Sequence, residues 1–178
     1  MTFHKLLIAN RGEIACRIIK SAHDMGISCV AVYVDADADS LFVKQADEAI
    51  RLSDSYLNSK EIIAAAKSTG AQAIHPGYGF LSENAKFSRD VLKEGLIWVG
   101  PNSRVITSMG DKLKAKVLAE KAGVPTLPMT TDPKKAGSIG FPVLIKAAAG
   151  GGGKGMRIVE TKKDLKESIL SAQREALS

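Results

Sequence analysis

The chain has 178 residues, 25 Lys+Arg against 19 Asp+Glu for a formal charge of +6, 45% apolar residues and 5% aromatics. Its longest strictly apolar run, Cys29 to Val34, falls far short of the roughly 20 residues that span a bilayer, and the apolar stretch Leu6 to Ala9 meets Arg11 and Glu13 too soon for a signal-peptide core. Cys16 and Cys29 form no disulfide framework and match no zinc spacing, and the lysines sit at helical spacing without interleaved aromatics, so a reducing cytoplasm is expected and neither a membrane nor a nucleic acid is an expected partner.

In chain order, Leu6 to Ala9 reads as a buried strand. Glu13 to Met25 reads as an amphipathic helix, with Ile14, Ile18, Ala22 and Met25 on one face and Gly26 at the left-handed cap position. Cys29 to Val34 is a second strand, apolar throughout, as strands covered on both faces are. A loop at Asp35 to Asp39 precedes Ser40, which is expected to cap a short helix from Leu41 to Ala46. A strand at Ala49 to Leu52 follows, and Ser59 is expected to cap a helix from Lys60 to Thr69. Next come a strand at Gln72 to His75, a Pro/Gly-rich loop, a helix at Asn84 to Lys93 and a strand at Leu96 to Val99. This alternation predicts an α/β domain with a doubly wound parallel sheet.

After Gly100 the pattern loosens. Pro101 opens a loop, and a helix at Asp111 to Ala122 ends at Gly123. A strand at Val143 to Ala147 runs into Gly150-Gly151-Gly152-Gly153-Lys154-Gly155. Met156 to Val159 leaves as another strand, and Thr161 with Asp164 forms a capping pair for a helix at Lys162 to Leu177. Two strands and one helix cannot cover a sheet face, so this second unit reads as unfinished.

Five glycines and a lysine between two apolar strands describe a hairpin flap whose bare backbone N–H groups can close around phosphate oxygens, with Lys154 adding charge. It is not a Walker A loop, because the position five before Gly153 is Ala148 and a glycine follows the lysine. The alternative is a linker, which apolar flanking strands argue against. Lys146, in an otherwise apolar strand, costs desolvation unless it meets an anion or lies at an edge. The loop from His75 to Asn84 leaves the carboxyl end of a parallel strand, where open α/β sheets bind ligands. Its G-x-G-x-x-S lacks the third glycine of a dinucleotide fingerprint.

Taken together, several segments resemble the N-terminal part of biotin carboxylases, closest in tone to the α subunits of acyl-CoA carboxylases. They are Leu7-Ile8-Ala9-Asn10-Arg11-Gly12-Glu13-Ile14-Ala15, Ala46-Asp47-Glu48-Ala49, Ser55-Tyr56-Leu57, His75 through Asn84, Val99-Gly100-Pro101, Met109-Gly110-Asp111-Lys112, Ala122-Gly123-Val124-Pro125, Gly140-Phe141-Pro142, and Lys146 through Met156. Pyruvate and urea carboxylases remain open, as do other ATP-grasp ligases and a non-catalytic nucleotide-binding or dimerisation module. The resemblance implies a Rossmann-like, pre-ATP-grasp domain over residues 1–110. Over residues 111–178 it implies a connecting helix and an incomplete ATP-grasp lid with its Gly-rich flap.

The implied activity is ATP-dependent ligation. ATP and bicarbonate give carboxyphosphate, whose CO2 passes to biotin on a carrier domain, and a carboxyltransferase subunit then uses the carboxybiotin. By position, Lys112, Lys146, Gly152, Gly153 and Met156 resemble ATP-binding residues. Tyr78, Gly79 and Glu83 resemble the loop on the biotin and bicarbonate side, and Arg17 and Lys20 resemble positions of a homodimer interface. Mg²⁺ ligands fall beyond residue 178 in relatives, so no catalytic or metal-binding residue is assigned within the chain. The resemblance implies a fragment without turnover of its own, in the cytoplasm or, in a eukaryote, in the mitochondrial matrix. The connections between Leu52 and Ser55 and between Pro128 and Gly140 are shorter than the family pattern, and Ala149 stands where some members have glycine.

Overall fold

The computed structural model describes residues 3–146 and 156–177. The chain divides into two compact units, Met1–Asp111 and Lys112–Ser178.

In the first unit, β1 (Lys5–Ile8), α1 (Gly12–Asp24), β2 (Ser28–Tyr33), α2 (Leu41–Gln45), β3 (Glu48–Arg51), α3 (Ser59–Ser68), β4 (Ala73–His75), α4 (Ala85–Lys93), β5 (Ile97–Trp98) and α5 (Ser103–Gly110) follow one another. The five strands lie in the order β3-β2-β1-β4-β5, and every neighbouring pair is parallel. This is the doubly wound sheet that the alternation predicts.

Side chains alternate across the sheet as the pleat demands. Leu7, Val30, Val32 and Ile74 pack with Ile62, Phe87, Val91 and Ile106 on the face covered by α3, α4 and α5. Leu6, Ile8, Cys29 and Ala31 pack with Ile18, Ile19 and Phe42 on the face covered by α1 and α2. Both faces are covered, which is why β1 and β2 are apolar at every central position. Gly26, with φ of +71°, stands where the sequence puts a left-handed cap.

Three local expectations are corrected. Asn58, not Ser59, caps α3, because its carboxamide oxygen is the one that accepts from Glu61 N. Ser40 precedes α2 and accepts from Val43 N and Lys44 N through its carbonyl, but its side chain makes no cap bond and its hydroxyl turns to the Asp37 carboxylate instead. The segment expected to be a loop after Pro101 contains α5, capped by Asn102 through Arg104 N and Val105 N.

The second unit contains α6 (Lys112–Lys121), a 3-10 segment (Pro133–Ser138), β6 (Val143–Ile145), β7 (Arg157–Val159) and α7 (Leu165–Leu177). The last helix starts later than expected, because Thr161 Oγ1 donates to Asp164 Oδ2 in a turn ahead of it. Strands β6 and β7 pair antiparallel, Val143 with Val159 and Ile145 with Arg157. Val159 and Ala172 of α7 are buried, whereas the cross-strand neighbours Leu144 and Ile158 are 47% and 68% exposed. One face of this hairpin is therefore uncovered.

Candidate functional site

The chain leaves β1 toward β2 and leaves β4 toward β5, so β1 and β4, adjacent at the centre of the sheet, mark its topological switch point. Loops leaving the carboxyl ends of two such strands diverge and open a crevice. Here those loops are Ala9 to Arg11 and His75 to Asn84.

Asn10, wholly buried, ties them together. Its Nδ2 donates to Pro76 O at 2.8 Å and to Tyr78 O at 3.0 Å, and its Oδ1 accepts from Arg11 N at 2.9 Å. Between those carbonyls, Gly77 holds φ at +65° and donates its N–H to His75 Nδ1 at 2.9 Å. That bond needs a neutral acceptor nitrogen, and burial keeps the His75 pKa below its ordinary value. Gly79 adopts φ 71° and ψ −167°, a region open essentially to glycine alone.

A second tether reaches the loop through Phe80, whose ring centroid lies 5.3 Å from that of Tyr56. Tyr56 Oη donates to Asp37 Oδ2 at 2.6 Å, and Arg11 grips the same carboxylate through Nε at 2.6 Å and through Nη2. Arg11 follows β1, Asp37 follows β2, Tyr56 follows β3 and Phe80 follows β4, so one chain of contacts joins the loops after four strands. The Arg11 hydrogen bonds hold the Asp37 carboxyl below the usual carboxylate range. Burial, then the bond to Asp37, pushes the Tyr56 phenol up to about 12, which keeps it a proton donor.

On this frame Tyr78 stands 57% exposed, its hydroxyl donating to Glu13 Oε2 at 3.2 Å. Arg17, one turn after Glu13 on α1, adds positive field at that hydroxyl. Tyr78, Gly79 and Glu83 are all exposed. Arg17 and Lys20 are exposed on α1, with Lys20 paired to Asp24 at 3.0 Å. Asn10, Arg11, Asp37, Tyr56 and Phe80 carry the loop, yet sequence reading assigns them no role. The position of Asn10 and Arg11 just past the first strand is the one available signal.

In the second unit Lys146 and Met156 lie one step beyond the last strand pair, Ile145 with Arg157, at the mouth of the hairpin. Both are exposed. Lys112 is the first residue of α6. Gly152, Gly153 and Lys154 lie outside the described residues.

A parallel sheet with its loops gathered at the switch point, followed by a two-stranded hairpin, is the architecture of a known class. Residues 2–106 match the family model for the biotin carboxylase N-terminal domain, and residues 111–178 match that for the carbamoyl-phosphate synthase L chain ATP-binding domain. The chain belongs to the biotin carboxylase N-terminal domain family.

The propionyl-CoA carboxylase alpha chain of Ruegeria pomeroyi is 50% identical over 98% of this chain. The mitochondrial methylcrotonoyl-CoA carboxylase subunit alpha of Dictyostelium discoideum is 51% identical over 97%. This chain spans only 28% and 26% of those relatives. The biotin carboxylase domain dimer of Hydrogenobacter thermophilus 2-oxoglutarate carboxylase, solved with MgADP, ADP and bicarbonate, superposes with a TM-score of 0.91 at 43% identity. It is covered over 42% of its length, against 99% of this chain. Biotin carboxylase from Campylobacter jejuni gives the same TM-score at 44% identity, with 42% of that chain and 99% of this one covered. No described helix is long and apolar enough to cross a membrane.

Proposed function

We propose that these 178 residues serve in an ATP-dependent biotin carboxylase of the acyl-CoA carboxylase type. The observation that carries this reading is the antiparallel hairpin with Lys146 and Met156 at its mouth and the glycine run between its strands. A lysine at the end of a strand, close in sequence to glycines whose backbone N–H groups no side chain covers, is chemically fitted to grip phosphate oxygens.

In this reading Lys112, Lys146, Gly152, Gly153 and Met156 bind ATP, which supplies the phosphoryl group that activates bicarbonate. Tyr78, Gly79 and Glu83 face biotin and bicarbonate. The tether from Arg11 to Phe80 holds that loop still, so that binding need not first order it. Arg17 and Lys20 contribute to a homodimer. The carried biotin arrives on a carrier domain and leaves for a carboxyltransferase subunit. Among the described residues 112–178 no group of three His, Cys, Asp or Glu side chains converges on a cation, so no step here is assigned to Mg²⁺.

Calorimetric titration with ADP tests the reading. ADP binds without NAD binding, and Lys146→Ala weakens ADP more than Lys154→Ala does, because a lysine at a strand end is already positioned. Binding of neither nucleotide, or an equal loss in the two variants, overturns it.

A further inference from the structure

At the end of the sheet opposite the switch point, three side chains from separate elements meet. His23 lies in the last turn of α1, Cys29 near the start of β2, and Asp47 just ahead of β3. One ligand atom of each, an imidazole nitrogen, Sγ and a carboxylate oxygen, lies within 4.8 Å of the other two. From this convergence we propose that His23, Cys29 and Asp47 bind a divalent cation of the zinc class.

The donor set selects the metal. One imidazole nitrogen, one sulfur and one carboxylate oxygen suit Zn²⁺ and its neighbours, whereas Mg²⁺ and Ca²⁺ need oxygen throughout. The geometry is half built. Asp47 Oδ2 accepts from Cys29 N at 2.7 Å, and Asp47 N donates to Cys29 O at 3.0 Å, so the carboxylate is anchored whether or not His23 is engaged. His23 Nε2 sits 2.9 Å from the same Oδ2, so the two donor atoms already face one another.

The imidazole and carboxylate are 40% and 47% exposed, leaving a path inward and room for water in the remaining position. Among the described residues the Cys29 thiol donates one hydrogen bond, a long one of 3.8 Å to Ile27 O, which a cation on the sulfur would replace. Burial pushes that thiol up to about 11, and the cation must therefore expel its proton, which a coordinating zinc-class ion does. A plain surface ion pair between His23 and Asp47 would need no sulfur beside it.

The test is a Co²⁺ titration of the metal-stripped 178-residue protein, followed by competition with Zn²⁺. One equivalent of Co²⁺ binds with a thiolate-to-cobalt charge-transfer band, and Zn²⁺ displaces it. Cys29→Ser abolishes the band, and His23→Gln, at an exposed position that should not disturb folding, weakens Zn²⁺ binding by about tenfold or more. Cys16→Ser leaves both unchanged. Absence of Co²⁺ and Zn²⁺ binding, or binding unaltered in His23→Gln, overturns the proposal, and the second variant decides even if Cys29→Ser fails to fold.

Discussion

Gly77 packs against Asn10 so closely that a β-carbon at residue 77 would stand 2.6 Å from Asn10 Nδ2 and 2.8 Å from Ile14 Cγ2. Asn10 cannot retreat, because its carboxamide is held by two carbonyls of the loop and by Arg11 N. Gly77→Ala therefore meets both a clash and a positive φ. We expect it to destabilise the first unit by about 1–3 kcal/mol. Thermal melting checks this, and an unchanged midpoint would contradict the rigid-frame reading.

The Asp37 carboxylate accepts from Arg11, Tyr56 and, at a longer distance, Ser40 while almost wholly buried itself. Tyr56→Phe removes one hydrogen bond and costs about 1 kcal/mol, since Arg11 still satisfies the acid. Asp37→Ala leaves the buried Tyr56 hydroxyl without its acceptor and costs about 2 kcal/mol. Urea unfolding with an unaltered m-value should rank the two in that order.

His75 gives the loop an acid sensitivity. Its folded pKa lies below the ordinary value, so the unfolded chain binds more protons. Stability is fully present above about pH 6.5 and is lost as pH falls through the lower folded value. Protonation also removes the acceptor for Gly77 N. Melting at pH 7.5 and 5.5 should show a larger acid drop for the wild type than for His75→Asn, whose side-chain oxygen still accepts that bond.

Leu144 and Ile158 form an exposed apolar pair on the uncovered face of the β6–β7 hairpin. Replacing both with threonine keeps β-propensity and removes little burial. A stability change within about 0.5 kcal/mol is expected, with weaker self-association at high concentration by sedimentation.

Nucleotide chemistry yields the last expectation. The acidic residues after β7 are Glu160, Asp164, Glu167 and Glu175, and Glu175 is engaged by Arg157 at 2.8 Å. No carboxylate pair beside the hairpin is described that could hold Mg²⁺ against phosphates. The 178-residue protein is expected to release no phosphate from ATP with bicarbonate. Bicarbonate-dependent release that Lys146→Ala abolishes would contradict this.

Local pattern made much of the molecule readable. The apolar runs mark the strands, and glycines such as Gly26 and Gly123 mark helix ends. Helix α5 escaped because Ile106 is its only buried residue and Pro101 reads as a break. The caps of α3 and α2 are not legible locally, because Asn58 competes with Ser59 for one and the Ser40 hydroxyl has Asp37 as a rival partner at the other.

By itself, then, the sequence determined the parallel α/β order and the family, because periodicity and contiguous motifs are written along the chain. Tertiary structure alone decided that Arg11, Asp37, Tyr56 and Phe80 hold one loop, and that His23, Cys29 and Asp47 meet at the far end of the sheet. Those partners lie on different strands, loops and a helix end. Parallel pairing brings the same ends of successive strands together, so residues 26 and 19 positions from Asp37, Arg11 and Tyr56, become its neighbours without any local signal that they will.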